Sequence, residues 1–244
     1  HAQSGYPGIC QVHRAQLLRL RGSWAEAEAE ARHASEELED FLSDAASRAY
    51  YELGEIKLRM GDLDGADGLF SRAHEMGCDP LPGLASLRLA QGETESARAL
   101  LDRALSDPLL SSLDRARLLP AQAEVALMSG ARELSRAIAD ELTSIAEAYE
   151  SPALVARAAL ARGMVELGDE RPIEAAIHFR RAWKLSRESD LPYEAARARV
   201  MLAQAYRASG NREDARLELR AAVGAFQKLG AAGDARRAME LLEA

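Results

Sequence analysis

The chain has 244 residues and a formal net charge of −8, from 39 acidic and 31 basic side chains. Alanine supplies 49 residues and leucine 35, whereas valine, isoleucine and threonine together supply 14. Because strands favour β-branched side chains and helices favour alanine and leucine, the composition argues against a β-rich fold and predicts an all-α fold. The acidic balance argues against non-specific binding of nucleic acid.

The sequence contains no apolar run near the roughly 18 to 20 residues of a membrane span and opens with no basic-then-apolar signal. We therefore expect a cytoplasmic protein without a membrane partner. Since the sequence begins at His1 without an initiator methionine, we expect a fragment of a larger protein. The two cysteines, Cys10 and Cys78, are too few for a disulfide framework. We expect both to be reduced and buried.

A pattern recurs along the chain: a glycine, a small residue five positions later, and apolar residues four and seven positions after that. Its copies begin at Gly22, Gly61, Gly92, Gly130, Gly168 and Gly210. The copy at Gly130 is weak, and the copy at Gly168 needs two extra residues before its small residue, Ala175. We expect the glycine to end one helix with a positive φ and the small residue to mark a close crossing by a second helix. Each copy thus predicts a helical hairpin.

Apolar residues at helical spacing precede the glycines, as at Leu53 and Met60 before Gly61. In chain order, hairpins are predicted at 7–42, 44–77, 79–107, 110–149, 151–188 and 190–229, and a capping helix at 233–243. We expect one helical repeat domain over 1–244, in which each hairpin contacts mainly its sequence neighbours.

The second copy resembles the turn and second helix of a tetratricopeptide repeat. The resemblance is carried by Gly61-Asp62-Leu63-Asp64-Gly65-Ala66, Phe70 and Ala73, and by Leu53-Gly54 in the preceding helix. It implies a right-handed tetratricopeptide-like solenoid with a C-terminal capping helix. The large aromatic residue usual near the start of the first helix occurs only in this copy, as Tyr50.

A second resemblance concerns the two ends of the sequence. It is carried by Tyr6-Pro7-Gly8-Ile9-Cys10-Gln11-Val12-His13-Arg14, Leu20-Arg21-Gly22, Trp24 and Leu229-Gly230-Ala231. These stretches are similar to actinobacterial LuxR-type transcription regulators, in which such a module precedes a C-terminal helix-turn-helix. The resemblance implies a signal-sensing region that binds a ligand or partner and shifts a larger regulator between inactive and active forms. The alternative is a stand-alone scaffold for protein assembly.

Motifs for catalysis are missing from the sequence. It contains no H-E-x-x-H, C-x-x-C, G-x-S-x-G or P-loop. Cys10 and His13, three positions apart, could supply two metal ligands, but a buried cysteine and a half-exposed histidine are favoured because no further ligands are identified. We therefore predict a protein that is not an enzyme and uses no metal or cofactor.

Binding residues are sought on the first helix of each hairpin, which lines the concave surface of a tetratricopeptide superhelix. The exposed stripe of this helix carries an arginine at the equivalent position of four hairpins: Arg48, Arg117, Arg157 and Arg197. The other candidates on or beside the stripe are Tyr51, Glu55, Arg59, Glu124, Gln204 and Arg207. A row of guanidinium groups could hold a protein, an acidic peptide or a small anionic effector. The alternative is that the arginines pair with Glu55, Glu124 and neighbouring acids and only hold the hairpins in register.

Overall fold

Alanine- and leucine-rich segments form a chain of helices in a computed structural model that describes residues 6–39 and 43–243, and no described residue lies in a strand. The first three pairs are α1 (Tyr6–Leu20) with α2 (Trp24–Leu38), α3 (Ser43–Met60) with α4 (Leu63–Glu75), and α5 (Gly83–Ala90) with α6 (Thr94–Leu105). The next three pairs are α7 (Ser112–Met128) with α8 (Arg132–Tyr149), α9 (Pro152–Gly168) with α10 (Pro172–Glu188), and α11 (Pro192–Ala208) with α12 (Arg212–Leu229). The last helix is α13 (Ala232–Glu243). The predicted all-α hairpin fold is confirmed.

Glycines with positive φ connect the two helices of five hairpins. These are Gly22, Gly61, Gly92, Gly130 and Gly210, with φ between 65° and 89°. A residue with a Cβ is strained in this left-handed conformation, which is why the recurring glycine marks the turn. The predicted role of these five glycines is confirmed.

The fifth hairpin turns at a glutamate. Gly168 is the last residue of α9, whereas Glu170 has a φ of 61°. With Glu170 in the turn position, Ala175 and Phe179 follow five and nine positions later, as in the other hairpins. The prediction of two extra residues after Gly168 was wrong, because a non-glycine residue takes the left-handed conformation here.

Small residues let the two helices of a hairpin cross closely. Ala66 is fully buried at the crossing of α4 with α3. A Cβ at Gly54 would lie 2.6 Å from Cε1 of Phe70, and one at Gly163 would lie 2.5 Å from Cε1 of Phe179. In both hairpins, a buried phenylalanine of the second helix therefore packs directly on the backbone of the first helix.

Successive hairpins stack in order, and the two ends of the stack also meet. A Cβ at Gly22 would lie 2.4 Å from Cδ2 of Leu229, and the rings of Trp24 and Tyr193 are 5.8 Å apart. Helix α13 packs on α12 and contacts α3. Residues from both ends form one buried cluster: Trp24, Ala27, Ile56, Ala196, Ala222, Phe226, Ala231, Ala235 and Ala238. This contact between the ends was not predicted, and it closes the described hairpins around a central space.

The two cysteines lie nearer the surface than expected. Cys10 is exposed and Cys78 is partly buried, and both are free thiols. The prediction that both are buried was therefore wrong. Cys10 occupies an outward position on α1, where His13 is also exposed. Partial burial raises the pKa of the Cys78 thiol, which disfavours the reactive thiolate.

Candidate functional site

The odd-numbered helices surround a cavity of about 730 Å³ at the centre of the solenoid. Residues of α1, α3, α5, α7, α9, α11 and α13 contribute to its wall. The first helix of each hairpin faces inward, and the second helix packs behind it. Because the ends of the stack meet, α13 supplies the side of the wall that an open solenoid would lack.

The wall is rich in arginine. Its cationic side chains are Arg19, Arg59, Arg117, Arg157, Arg197, Arg236 and Arg237, and its acidic side chains are Glu55, Glu124, Glu194 and Asp234. Seven cations therefore face four carboxylates, whereas the chain as a whole has a net charge of −8. The positive charge of the cavity is a local property that the overall composition hides.

A buried network of ion pairs forms the part of the wall between α1 and α3. Arg19 Nε lies 2.5 Å from Oε2 of Glu52, and its Nη1 lies 3.5 Å from Oε2 of Glu55. Arg59 also donates to Glu55. The hydroxyl of Tyr51 donates to Oε1 of Glu55 at 2.8 Å. Two cations and two anions thus satisfy one another.

The network favours the charged forms of Glu55 and Arg19. Burial opposes ionisation of Glu55, but Arg59 and Arg19 lower its pKa to about 2. Burial also opposes the charge on Arg19, and Glu52 nevertheless leaves the pKa of Arg19 raised. Since removing one partner of a buried pair leaves an uncompensated charge, we assign these residues a structural role in the wall.

Tyr193 joins the network to the last helix. The guanidinium carbon of Arg59 lies 5.1 Å from the centre of the Tyr193 ring. The hydroxyl of Tyr193 donates to Oδ2 of Asp234 at 3.0 Å, and Arg237 donates to Oδ1 of Asp234 at 2.6 Å. Burial raises the pKa of Tyr193, which keeps its hydroxyl protonated as a donor.

A second ion pair crosses from α11 to α7. Arg197 Nη2 donates to Oε1 of Glu124 at 2.5 Å. The nearby carboxylate of Glu124 raises the pKa of Arg197 against the effect of burial. Arg197 and Glu124 therefore neutralise each other within the protein. This pair agrees with the alternative that the arginines pair with acidic residues and hold the hairpins in register.

Arg117 and Arg157 are bound mainly to backbone. Arg117 donates to the carbonyl of Leu81 at 3.2 Å, and Arg157 donates to the carbonyl of Ala116 at 3.4 Å. The nearest carboxylate to Arg117 is that of Asp114, at 3.7 Å between half-exposed side chains. An exposed ion pair of this kind contributes little to the stability of the folded protein.

The structure brings seven of the ten predicted groove residues together at the cavity: Tyr51, Glu55, Arg59, Arg117, Glu124, Arg157 and Arg197. The other three lie outside its wall. Arg48 is exposed one turn before Tyr51 and pairs with Asp44 at 3.4 Å. Arg207 donates to the carbonyl of Leu241 at 2.7 Å, because α13 packs against this end of α11. Gln204 also lies outside the wall.

Several wall residues were missed from the sequence. The helical stripe was not extended to the first hairpin, where it would have reached Arg19. Tyr193 and Glu194 lie in the first turn of α11, before the predicted stripe begins at Arg197. Asp234 on α13 was missed because that helix was expected only to cap the stack.

The described residues hold no group of three or more histidine, cysteine, aspartate or glutamate side chains arranged to bind a metal ion. No helix in the ranges 6–39 and 43–243 combines the length and apolar character needed to cross a membrane.

Comparisons with known proteins agree with this architecture. The family described as tetratricopeptide repeat matches residues 196–228, which cover most of the sixth hairpin. No curated protein sequence matches the chain.

Solved structures match over nearly the whole chain. A Rap protein complexed with competence and sporulation factor has a TM-score of 0.74 at 15% identity, covering 98% of this chain and 70% of that one. The Cut9–Hcn1 hetero-tetramer of the APC/C has a TM-score of 0.60 at 16% identity, covering 92% and 48%. PilW, a type IV pilus biogenesis factor, has a TM-score of 0.55 at 15% identity, covering 91% and 96%. The fold is therefore a helical-repeat solenoid of the tetratricopeptide type.

Proposed function

We propose that this chain is a non-catalytic binding module that holds a short peptide in its central cavity. The cavity carries the proposal, since its volume of about 730 Å³ lies within the range of roughly 300–1,000 Å³ that is usual for ligand sites. Apolar side chains such as Leu58, Leu89 and Leu160 line the wall together with the charged ones. This mixture suits a peptide of a few residues, whose side chains are apolar and whose ends or polar groups are charged.

The similar Rap protein was solved in a complex with competence and sporulation factor, which supports binding of a separate factor by this architecture. That support is by analogy of fold, because one architecture can carry unrelated functions. A small anionic effector is the second ligand class that the arginine-rich wall would accept. Within the proposal, the contact residues are Arg117 and Arg157, the predicted groove arginines on the cavity wall that lie outside the buried ion pairs.

The proposed binding module belongs to a larger cytoplasmic regulator of the LuxR type, with its DNA-binding helix-turn-helix outside this sequence. The support is the similarity of both ends of the sequence to such regulators. A stand-alone scaffold for protein assembly is the alternative. The coding sequence after Ala244 distinguishes them, because a helix-turn-helix supports the regulator and an immediate stop codon supports the scaffold.

A cavity-filling variant tests peptide binding. Ser86 lies on the cavity wall on α5, and Ser71 is exposed on the second helix of the preceding hairpin. The wild-type protein and the Ser86→Trp and Ser71→Trp variants are each incubated with a mixture of random pentapeptides. Retained peptides are identified by mass spectrometry after gel filtration.

We expect the wild type and Ser71→Trp to retain the same peptides and Ser86→Trp to lose them, because an indole ring would occupy the cavity. Circular dichroism confirms that each variant is folded. If the wild type retains no peptide, or if Ser86→Trp retains as much as the wild type, the proposed function is wrong.

A further inference from the structure

Arg157 differs from most cations of the cavity wall in its partners. Six wall arginines have a carboxylate oxygen within 4.0 Å: Arg19, Arg59, Arg117, Arg197, Arg236 and Arg237. Arg157 forms no ion pair with any residue in the described ranges, and the carbonyl of Ala116 is its hydrogen-bond acceptor there. Its remaining N–H groups are left for a ligand.

The surroundings of Arg157 are unfavourable for a lone cation. Burial lowers its pKa, and Arg117, Arg19 and Arg59 add to that effect while Glu194 opposes it. Arginine nevertheless stays protonated in proteins, so the charge persists. A partly desolvated charge without an ion pair costs stability, and an anion that binds to it reduces this cost.

Arg117 lies on the same cavity wall, and its charge acts on Arg157. Its Nη2 is fixed by the carbonyl of Leu81 at 3.2 Å, and its contact with Asp114 is a half-exposed pair at 3.7 Å. Each guanidinium is thus anchored to a backbone carbonyl on one side, which orients it. The N–H groups of a guanidinium are well suited to bind a planar carboxylate, and both arginines offer such groups on one cavity wall.

We infer that Arg117 and Arg157 form a subsite for one carboxylate group of the peptide held in the cavity, an inference that rests on the proposed function. Glu194 also faces the cavity. Its negative charge disfavours a dianionic group such as phosphate more than a carboxylate, because the repulsion grows with the ligand's charge. The carboxylate comes either from the C-terminus of the peptide or from an acidic side chain.

The test compares three mixtures of pentapeptides on the wild-type protein. The first lacks acidic side chains and has free C-termini, the second is its C-terminal amide, and the third is an amide mixture that carries one glutamate. The variants are Arg157→Gln and Arg117→Gln. The control is Arg103→Gln, which removes an exposed arginine from α6, outside the cavity. Retention is measured by mass spectrometry, and the melting temperature of each protein is recorded.

We expect the wild type and Arg103→Gln to retain peptides with a carboxylate and to discriminate against the plain amides. Retention of the glutamate amides would identify a side-chain carboxylate as ligand, and retention of only the free acids would identify the C-terminus. Losing one charge-assisted hydrogen bond should weaken binding of the retained class by about 10- to 150-fold in Arg157→Gln and in Arg117→Gln. The melting temperature of Arg157→Gln should equal or exceed that of the wild type, because an uncompensated charge has been removed.

Equal retention of acids and plain amides by the wild type would overturn the carboxylate subsite while the proposed function stands. An Arg157→Gln variant that melts several degrees lower and keeps its selectivity would also overturn it, since the arginine would then be structural. Retention of no peptide from any mixture would overturn the subsite and the proposed function together.

Discussion

Arg59 lies over the aromatic ring of Tyr193, with its guanidinium carbon 5.1 Å from the ring centre, and so joins the second hairpin to the sixth. The same ring lies 5.8 Å from the ring of Trp24 and 5.8 Å from the ring of Phe226. A cation over an aromatic face and tilted aromatic pairs are both attractive geometries. Tyr193 is therefore the centre of the contact that brings the two ends of the solenoid together.

Replacing Tyr193 should weaken the contact between the ends of the solenoid, and loss of the whole ring should have a larger effect than loss of the hydroxyl group alone. Tyr193→Phe loses the hydrogen bond to Asp234 and should lower the free energy of unfolding by about 1 kcal/mol. Tyr193→Ala also loses the ring and should lower it by about 3 kcal/mol or more. Urea denaturation measures both values. Tyr149→Ala, at an exposed position, should stay within about 0.5 kcal/mol of the wild type. Similar effects for Tyr193→Ala and Tyr149→Ala would contradict the role given to Tyr193.

Three glycines within helices should respond differently to alanine. At Gly54 and Gly163 the new Cβ would lie within 2.6 Å of a buried phenylalanine ring, whereas at Gly224 nothing lies within 4 Å. Gly54→Ala and Gly163→Ala should destabilise the protein by about 1 to 3 kcal/mol through overpacking. Gly224→Ala should stabilise it by about 0.5 to 1 kcal/mol, because alanine has the higher helix propensity. Thermal melts decide the order, and a stabilised Gly163→Ala would contradict the close packing on Phe179.

The stability of the protein should fall in acid through Glu55. Burial raises its pKa, but Arg59 and Arg19 lower it to about 2, below the ordinary value of 4.5. Between pH 4.5 and 2 the unfolded chain takes up a proton that the folded protein does not, so the free energy of unfolding decreases as the pH falls. The contribution of Glu55 is on the order of 3 kcal/mol, fully present above pH 4.5.

Denaturation at several pH values measures this effect. Glu55→Gln should be less stable at neutral pH, because Arg59 loses its partner, and should lose less stability between pH 4.5 and 2 than the wild type. Glu133→Gln, which removes an exposed glutamate from α8, serves as the control and should keep the wild-type slope. An unchanged slope in Glu55→Gln would show that the acid sensitivity has another source.

The isolated 244 residues should not bind duplex DNA specifically at physiological salt, because the net charge of −8 repels the phosphate backbone. Fluorescence anisotropy with labelled operator DNA measures this directly. Specific DNA binding by this region alone would contradict the proposal that a helix-turn-helix outside this sequence binds the DNA.

Local features of the fold were predictable from the sequence because they depend on single residues. The turn at Gly61 depends on the conformational freedom of glycine, and the helix crossing at Ala66 depends on the small side chain of alanine. Both residue types recur in the repeating pattern, so the pattern predicts the turn and the crossing. Glu170 escaped the pattern because a residue other than glycine has the left-handed conformation at this turn, with a φ of 61°. Residue type does not reveal such strain.

The candidate site was predictable only in part, because its shape depends on how small rotations between hairpins add up. Helical spacing placed Arg117 and Arg157 on inward-facing helices, where the structure has them. The same spacing also selected Arg48, which lies beyond the cavity, and could not show that Asp234 would reach the wall. Where the cavity ends is set by the pitch of the superhelix, a property of the whole array.

The packing of Leu229 against Gly22 gives the first hairpin a second neighbour. In an open repeat array, a terminal hairpin has one interface, so it frays before the middle of the array unfolds. Here α1 and α2 can detach only if their contacts with α3 and with the sixth hairpin break together. The N-terminal hairpin should therefore show amide exchange as slow as that of the central hairpins, and the array should unfold as a single cooperative unit.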